Sequence, residues 1–451
     1  MTDISPRVVR KKKRGKQPQT VSNFTFTPDQ TGPAGRNLPK MPGSQEAWEI
    51  YAKTPFPTRK DEPWRRTDIS NIQFEQYTLP DKNNHKRNPL SYQGIITRTD
   101  NLDRTLVFGD HIDGESLEIP IGQGVIFTDL KTALEQYPQI VEKISGKAVS
   151  AQDGKFAALN AALANTGFLL YVPRGVVLAD PLKALLWLSQ PKTAFISHVM
   201  VYLEENSQAT LFYELASDED VSEEIFHSVN FEVMVEKNAS LHLVELQNFE
   251  DNVINFTHER LRIAENGSLD MFFGAFGSKL TKSFLDVDLA GAGANAVING
   301  AYLSDGEQHL DLDTQQNHLA PHTTSALKFK GALLGKSRTV WQGMVYVAPD
   351  GQKTDGYQTN NNLILSRLAR ADSIPGLEIL ADDVRCSHGA TVGKIDEDQV
   401  FYLLSRGIPH KEAEKLLIEG YFNPVLSNIA SKPLREQIST WIQKKLESYY
   451  G

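Results

Sequence analysis

The sequence predicts a mainly β protein, with a strand-rich core over residues 168–393 between an N-terminal α-rich region over 45–167 and a C-terminal helical region over 394–451. Three observations predict it. Within the core, runs such as "HVMVYLEE", "VNFEVMVEK", "ASLHLVEL" and "FLDVDLAGA" alternate apolar and polar residues, the period of a strand. On either side the apolar period becomes that of a helix. Inside the core a turn recurs: "EENSQATLF", "EKNASLHLV" and "AENGSLDMF" each set a Glu, an Asn and a small residue before a β-run, with Asn206, Asn238 and Asn266 separated by 32 and 28 positions. Asn tolerates the left-handed backbone of a sharp turn, so one such turn per roughly 30 residues suits a chain coiling through several strands per rung. A β-sandwich with Asn-containing hairpins suits the same spacing. Later corners are expected at "AGAGANA", "LLGKSR" and "APDGQKTDG".

In chain order, residues 1–44 begin with the basic run "RVVRKKKRGK", Arg7 to Lys16, which has no apolar stretch or cleavage site behind it and reads as a solvated, disordered tail or a docking segment. "SQEAWEIYAKTPFPTRKDEPWRRTDI" opens as a short amphipathic helix through Ala47, Ile50 and Tyr51 and breaks at Pro55 and Pro57. "QDGKFAALNAALANTG" places Phe156, Leu159, Ala162 and Leu163 on one helical face, with Gly167 as its expected C-cap. After the core, Asp396 and Gln399 in "IDEDQVFYLLSRG" form a capping-box pattern and Gly407 supplies a stop. "PHKEAEKLLIEGYF" and "PLREQISTWIQKKLESYY" add two helices, the second with the stripe Ile438, Trp441, Ile442 and Leu446.

The 451 residues carry 47 basic and 56 acidic side chains, a net charge of −9, which disfavours a general nucleic-acid-binding surface. No apolar run approaches the roughly 18–20 residues needed to cross a bilayer, so no membrane span is expected. One cysteine, Cys386, allows no internal disulfide and fits a reducing, cytoplasmic setting.

Candidate chemistry is sparse. There is no G-x-x-x-x-G-K-[ST] phosphate loop, no G-x-S-x-G, and "GAGANA" lacks the third glycine of a dinucleotide site. In "ADDVRCSHGAT", Cys386 and His388 fall at i and i+2, on one face of a strand, without an orienting third group for catalysis. A thiolate and an imidazole so placed can ligate a soft metal if a second chain supplies more ligands. Their bland reading is packing. "HLDLDTQQNHLAPH" offers His309, Asp311, Asp313, His318 and His322, a ligand-rich stretch that makes a metal-dependent, cupin-like all-β enzyme the alternative.

"TDGYQTNNNLILS", "PGLEILADDVRCSHGATVGKIDEDQVFYLLSRGI", "KFKGALLGKSRTVWQGMVYV" and "PTRKDEPWRRTDI" together resemble the SufB/SufD family of iron–sulfur cluster assembly proteins, over essentially all of the chain after the tail. One cysteine makes it most like the SufD branch. The resemblance implies a right-handed parallel β-helix flanked by helical regions, a non-enzymatic scaffold, and no tightly bound cofactor in the isolated chain. It also implies pairing with SufB through β-helix ends, binding of the ATPase SufC by the C-terminal helices, and a transient iron–sulfur cluster in the complex. Cys386 and His388 are the positions it marks at the SufB interface.

Overall fold

The structure, a computed structural model, describes residues 22–28, 40–80, 104–109, 118–429 and 431–450. Its core is a coil of two nine-stranded sheets. The first sheet runs β1 (Thr105–Gly109), β4 (Leu182–Leu188), β6 (Gln208–Ser217), β8 (Ser240–Asn248), β10 (Ser268–Ala275), β12 (Asn295–Ser304), β14 (Thr324–Leu333), β16 (Asp355–Ile364) and β18 (Arg385–Gly393). The second runs β2 (Ile126–Asp129), β3 (Thr166–Val172), β5 (Ala194–Leu203), β7 (Ile225–Val235), β9 (Val253–Ile263), β11 (Leu280–Leu289), β13 (His309–His318), β15 (Arg338–Val347) and β17 (Arg370–Ile379). From β3 onward successive strands alternate between sheets, and every neighbouring pair within a sheet is parallel except β2 with β3. This is a parallel β-solenoid, and it decides against the sandwich, whose hairpins would pair consecutive strands antiparallel.

The corners explain the repeat. Asn206, Asn238 and Asn266 have φ of 59°, 57° and 52°, and the column continues through Gly293, His322 and Lys353 at 72°, 57° and 63°. Each backbone N–H along it donates into the next rung: Asn206 to Lys237 O, Asn238 to Glu265 O, Asn266 to Ala292 O, and onward to Lys353 and Asp383 O. Asn238 Nδ2 also donates to Asn206 Oδ1 at 3.0 Å. The asparagines were legible because their side chain both accepts the left-handed backbone and ladders with its neighbour.

Alternate side chains fill the lumen, where stacked rows such as Leu241, Leu269 and Ala296 are buried. Both outer faces are covered too. Helices α1 (Ser44–Lys53) and α4 (Lys155–Leu163) pack with Trp64 and Phe74 on Phe226 and Phe256 of the second sheet. Next to them α2 (Leu130–Gln136) and α3 (Pro138–Ile144) lie over Leu169 and Met200. After the core come α5 (Glu397–Ser405), α6 (His410–Leu426) and α7 (Lys432–Tyr450), the last two burying Ile418, Phe422, Ile438 and Ile442 against Phe212, Val244 and Phe272 of the first sheet.

Three local expectations change. Gly167 is not a helix C-cap: it lies in β3 at φ 145°, where a Cβ would sit 1.9 Å from His198 O, so close strand approach selects it. Within the segment read as a tail, Phe24 and Phe26 are buried in the aromatic cluster with Phe74 and Phe226. The basic run Arg7 to Lys16 lies outside the described residues. Strands β1 and β2 fall inside the stretch read as α-rich and open the two sheets.

Candidate functional site

Cys386 and His388 sit on the last strand of the first sheet. Their register partners are Gly356 and Gln358 on β16, both buried in the lumen, so the two side chains point to the lumen side of the final rung. Among the described residues no further rung covers them: β18 pairs only with β16, and β17 only with β15, leaving two edges of unpaired backbone groups. His388 is exposed and Cys386 half-buried. The lumen positions of β17 end the coil in the same way, with Leu377 and Ile379 above Val345 and Val347 and partly open to solvent.

Beneath this rim the lumen changes character. Apolar rows give way to Gln358, Asn360 and Asn362, joined to Tyr302 and Ser373. Tyr302 donates to Asn362 Oδ1 at 2.5 Å, Asn360 Nδ2 donates to the Tyr302 hydroxyl at 2.8 Å, and Ser373 donates to Asn360 Oδ1 at 2.8 Å. Gln358 Nε2 reaches across to Gly343 O and Gly376 O, at 3.2 and 2.9 Å, fixing the carboxamide directly below His388. The sequence reading missed this layer, although the period-two Gln and Asn residues of "YQTNNNLI" were its signal.

Cys386 has its own setting. A Cβ on Gly356 would lie 3.3 Å from both Cys386 Sγ and His318 Nε2, so the missing side chain is what lets thiol and imidazole approach the same backbone atom. Burial pushes the Cys386 thiol up, favouring the protonated form in the free chain.

The stretch from His309 to His322 does not form one site, which corrects the metal-enzyme reading. His309 and His318 stand at opposite ends of a ten-residue strand, roughly 30 Å apart at 3.3 Å per residue. Asp311 and Asp313 turn outward to clasp Lys282 at 3.0 and 2.8 Å, and the Thr67 hydroxyl donates to Asp311. His309 Nε2 lies 2.9 Å from the Thr67 hydroxyl. His318 faces the lumen, bonded to the Thr323 and Ser325 hydroxyls at 2.8 Å each. Burial lowers the pKa of His309 and His318 to about 4, so both are neutral. His322 is a corner of the turn column, its N–H donating to Gln352 O. Among the described residues no group of three or more His, Cys, Asp and Glu side chains converges on a metal position.

The C-terminal helices divide their apolar surface. Ile418 is committed to the sheet, whereas Leu416 stays exposed and Leu417 half-buried. The sequence reading placed the helix α5 but left it out of the docking face, although only Val400 on it is buried and Phe401 is 71% exposed beside Tyr402 and Leu404.

A coil of parallel strands, capped by helices along both faces and ending in an open rung, defines a β-solenoid scaffold architecture. Residues 186–421 match the family model described as SUF system FeS cluster assembly, SufBD core domain, and residues 42–184 match the SufBD protein N-terminal region. The chain is 31% identical over 306 residues to the iron–sulfur cluster assembly protein SufB of Bacillus subtilis and to a SufBD family protein of Staphylococcus epidermidis, and 30% identical to one of Staphylococcus aureus. Each alignment covers 67% of this chain and 65% of the relative's length. The chain belongs to the SufBD family of the SUF iron–sulfur cluster assembly system. No helix among the described residues is long and apolar enough to cross a membrane.

Proposed function

We propose that this chain is the cysteine-poor, SufD-type scaffold subunit of a cytoplasmic iron–sulfur assembly complex, pairing with SufB end to end, docking SufC on its C-terminal helices, and catalysing no reaction itself. The observation that carries the reading is the open last rung. Two unpaired strand edges, β17 and β18, invite strand addition by a partner, and His388 stands on the lumen side of that rung where a partner's residues would meet it. His388 then serves as the ligand this subunit offers to a transient cluster, with Cys386 as its neighbour and SufB residues completing the set. A neutral imidazole is required for that role. The cluster is cargo of the complex, not a resident group of the isolated chain. Exposed Phe401 and Tyr402 on α5 and Leu416 on α6 form the apolar surface offered to SufC.

The test is His388→Ala co-expressed with SufB and SufC. The expected outcome is a complex that assembles and hydrolyses ATP but matures few clusters, because an exposed end-rung side chain contributes little packing. Failure to assemble would make His388 structural, and normal cluster yield in an intact complex would remove it from the site.

A further inference from the structure

Half-way along the lumen, far from the open end, two carboxylates face each other. Glu245 on β8 and Glu259 on β9 both occupy inward positions, stacked between apolar rows: Tyr213 and Phe273 lie above and below Glu245, and Phe231 and Leu285 above and below Glu259. Both are almost wholly buried, at 3% and 2% exposure. The groups that face them are the Tyr213 phenol from β6, the Thr257 hydroxyl from β9 and the Ser283 hydroxyl from β11. The charged side chains of the same strands, Glu232, His258, Arg260 and Lys282, occupy the alternate, outward positions. Beyond Tyr213 the lumen is closed by aromatic rings, with Phe168 and Phe231 each 5.6 Å from its centroid.

Two ionised carboxylates cannot share such a space. In a low-dielectric interior the charged form of each is penalised by desolvation, and like charge at close range adds to it. Among the described residues no guanidinium or ammonium group acts on either carboxylate to offset its charge. Glu245 Oε2, both carboxylate oxygens of Glu259, the Tyr213 hydroxyl and Thr257 Oγ1 are all buried without an aligned hydrogen-bond partner. An unpartnered buried acceptor costs about 1–3 kcal/mol, so this layer favours a state in which its carboxylates and hydroxyls pair with one another.

We propose that the solenoid lumen contains a proton-binding site, in which Glu245 is protonated at neutral pH and donates to an ionised Glu259. The geometry fits one proton better than none or two. With one proton, Glu245 becomes the donor that Glu259 lacks, and the hydroxyls of Thr257, Ser283 and Tyr213 can turn to stabilise the single remaining charge. Burial raises both groups above the ordinary carboxylate range, Glu245 the more strongly, while the hydroxyls and Glu245 hold Glu259 down. The folded chain therefore keeps this proton at pH values where the unfolded chain has lost it. The sign follows: stability conferred by the site is full below the unfolded carboxylate value, near 4.3, and is progressively lost as pH rises through the folded value.

The experiment is thermal unfolding of the full chain from pH 5 to pH 9, with Glu245→Gln and Glu259→Gln alongside, and infrared spectra of each at pH 7. The wild-type melting temperature should fall across the alkaline half of the range. Glu245→Gln, whose amide supplies the same donation without a proton, should melt higher than wild type at pH 9 and show a flatter profile. A protonated-carboxyl C=O band should be present in wild type at pH 7, lost in Glu245→Gln, and retained but shifted in frequency in Glu259→Gln, where its hydrogen-bond acceptor has changed. If Glu245→Gln does not fold, the band in wild type and its shift in Glu259→Gln decide the question. A missing band, or one unchanged in the variants, would overturn the site. Stabilisation of wild type by added potassium or calcium chloride that vanishes in Glu245→Gln would also overturn it, by showing a cation where the proton was placed.

Discussion

Replacing Lys282 by Met should expose how the N-terminal segment is fastened to the solenoid. The ammonium is wholly buried, 3.0 Å from Asp311 and 2.8 Å from Asp313, and lies 4.7 Å from the Phe284 ring and 5.9 Å from Trp64. The two aspartates in turn hold the covering segment: Thr67 donates to Asp311, and Asp313 accepts from Gln342, which accepts from Arg66 at 3.1 Å. At an effective dielectric of 20, each contact near 3 Å carries about 5–6 kcal/mol of attraction, much of it offset by desolvating three charges. Removing only the cation leaves the carboxylates buried and unpaired, a loss of about 3–5 kcal/mol. The loss depends on pH. Burial and neighbouring Asp311 raise Asp313 to about 6 even against the opposing pull of Lys282. Without the lysine it takes up a proton more readily, so the penalty is greatest above pH 7 and shrinks toward pH 5. Urea unfolding at both pH values, with hydrogen exchange over residues 62–70, measures it. The triple variant Lys282→Met, Asp311→Asn, Asp313→Asn should recover most of the lost stability. Equal losses at pH 5 and pH 8, or no recovery in the triple variant, would refute the reasoning.

Other outcomes follow from the same contacts. Asn238→Ala places a Cβ-bearing, non-laddering residue at φ 57° and should cost about 1–2 kcal/mol in denaturant midpoints, whereas Asn238→Gly should cost less. Lys445 in α7 is half-buried with its ammonium turned inward, bonded to Phe276 O, to Leu303 O at 2.8 Å and to Gln308 Oε1 at 2.8 Å, and burial lowers it to about 8. A lysine depressed in the fold adds stability as pH rises from its folded value toward its unfolded value near 10.4. Proteolysis of α7 should therefore slow between pH 8 and 10, and Lys445→Met should abolish that trend. Phe401→Asp on α5 should weaken SufC binding at least tenfold while leaving the β-rich circular dichroism spectrum intact; unchanged affinity would move the docking surface elsewhere. Cys386→Ala should preserve both stability and assembly, and Cys386→Ser should lose roughly 1–3 kcal/mol where its hydroxyl is left unbonded.

What could be read from the sequence depended on whether a residue type is demanded by its position. Asn206, Asn238 and Asn266 announced the corners because few other residues combine a left-handed backbone with a laddering amide. His322 holds an equivalent corner and announced nothing, since its φ is imposed by the rungs around it, and Lys353 was expected at a corner only through the turn residues of "APDGQKTDG" around it. Period-two runs identified the strands but not their partners, because alternation records which face is buried and not whether the next strand lies beside it or below it. The same ambiguity hid the carboxylate pair: in "ASLHLVEL", Glu245 reads as one of the residues that face water, and only the lumen turns it inward. His309 and Asp311 misled for the converse reason, looking like metal ligands while serving as fasteners for a segment some 240 residues earlier in the chain.

The placement of Cys386 and His388 was legible in part, since a β-run immediately before the final helices must be the last rung of a coil. Why that rung stays open is written one strand earlier. In the column beneath His388 the lumen residues run Leu243, Met271, Ile298 and Leu327, and then Gln358. Beside it Gly300 and Phe329 are followed by Asn360, and Gly331 by Asn362. An apolar layer at this depth would favour closure by a cap or by indiscriminate sticking of edges, the hazard of any exposed sheet end. A carboxamide layer bonded internally through Tyr302 and Ser373 tolerates water in the free chain and covering in a complex alike. The apolar contribution to such a complex is left to Leu377, Ile379, Leu380 and Val392 at the rim. The end of the solenoid is thus suited to being occupied part of the time, which is the condition the proposed role sets if a cluster held there is to leave.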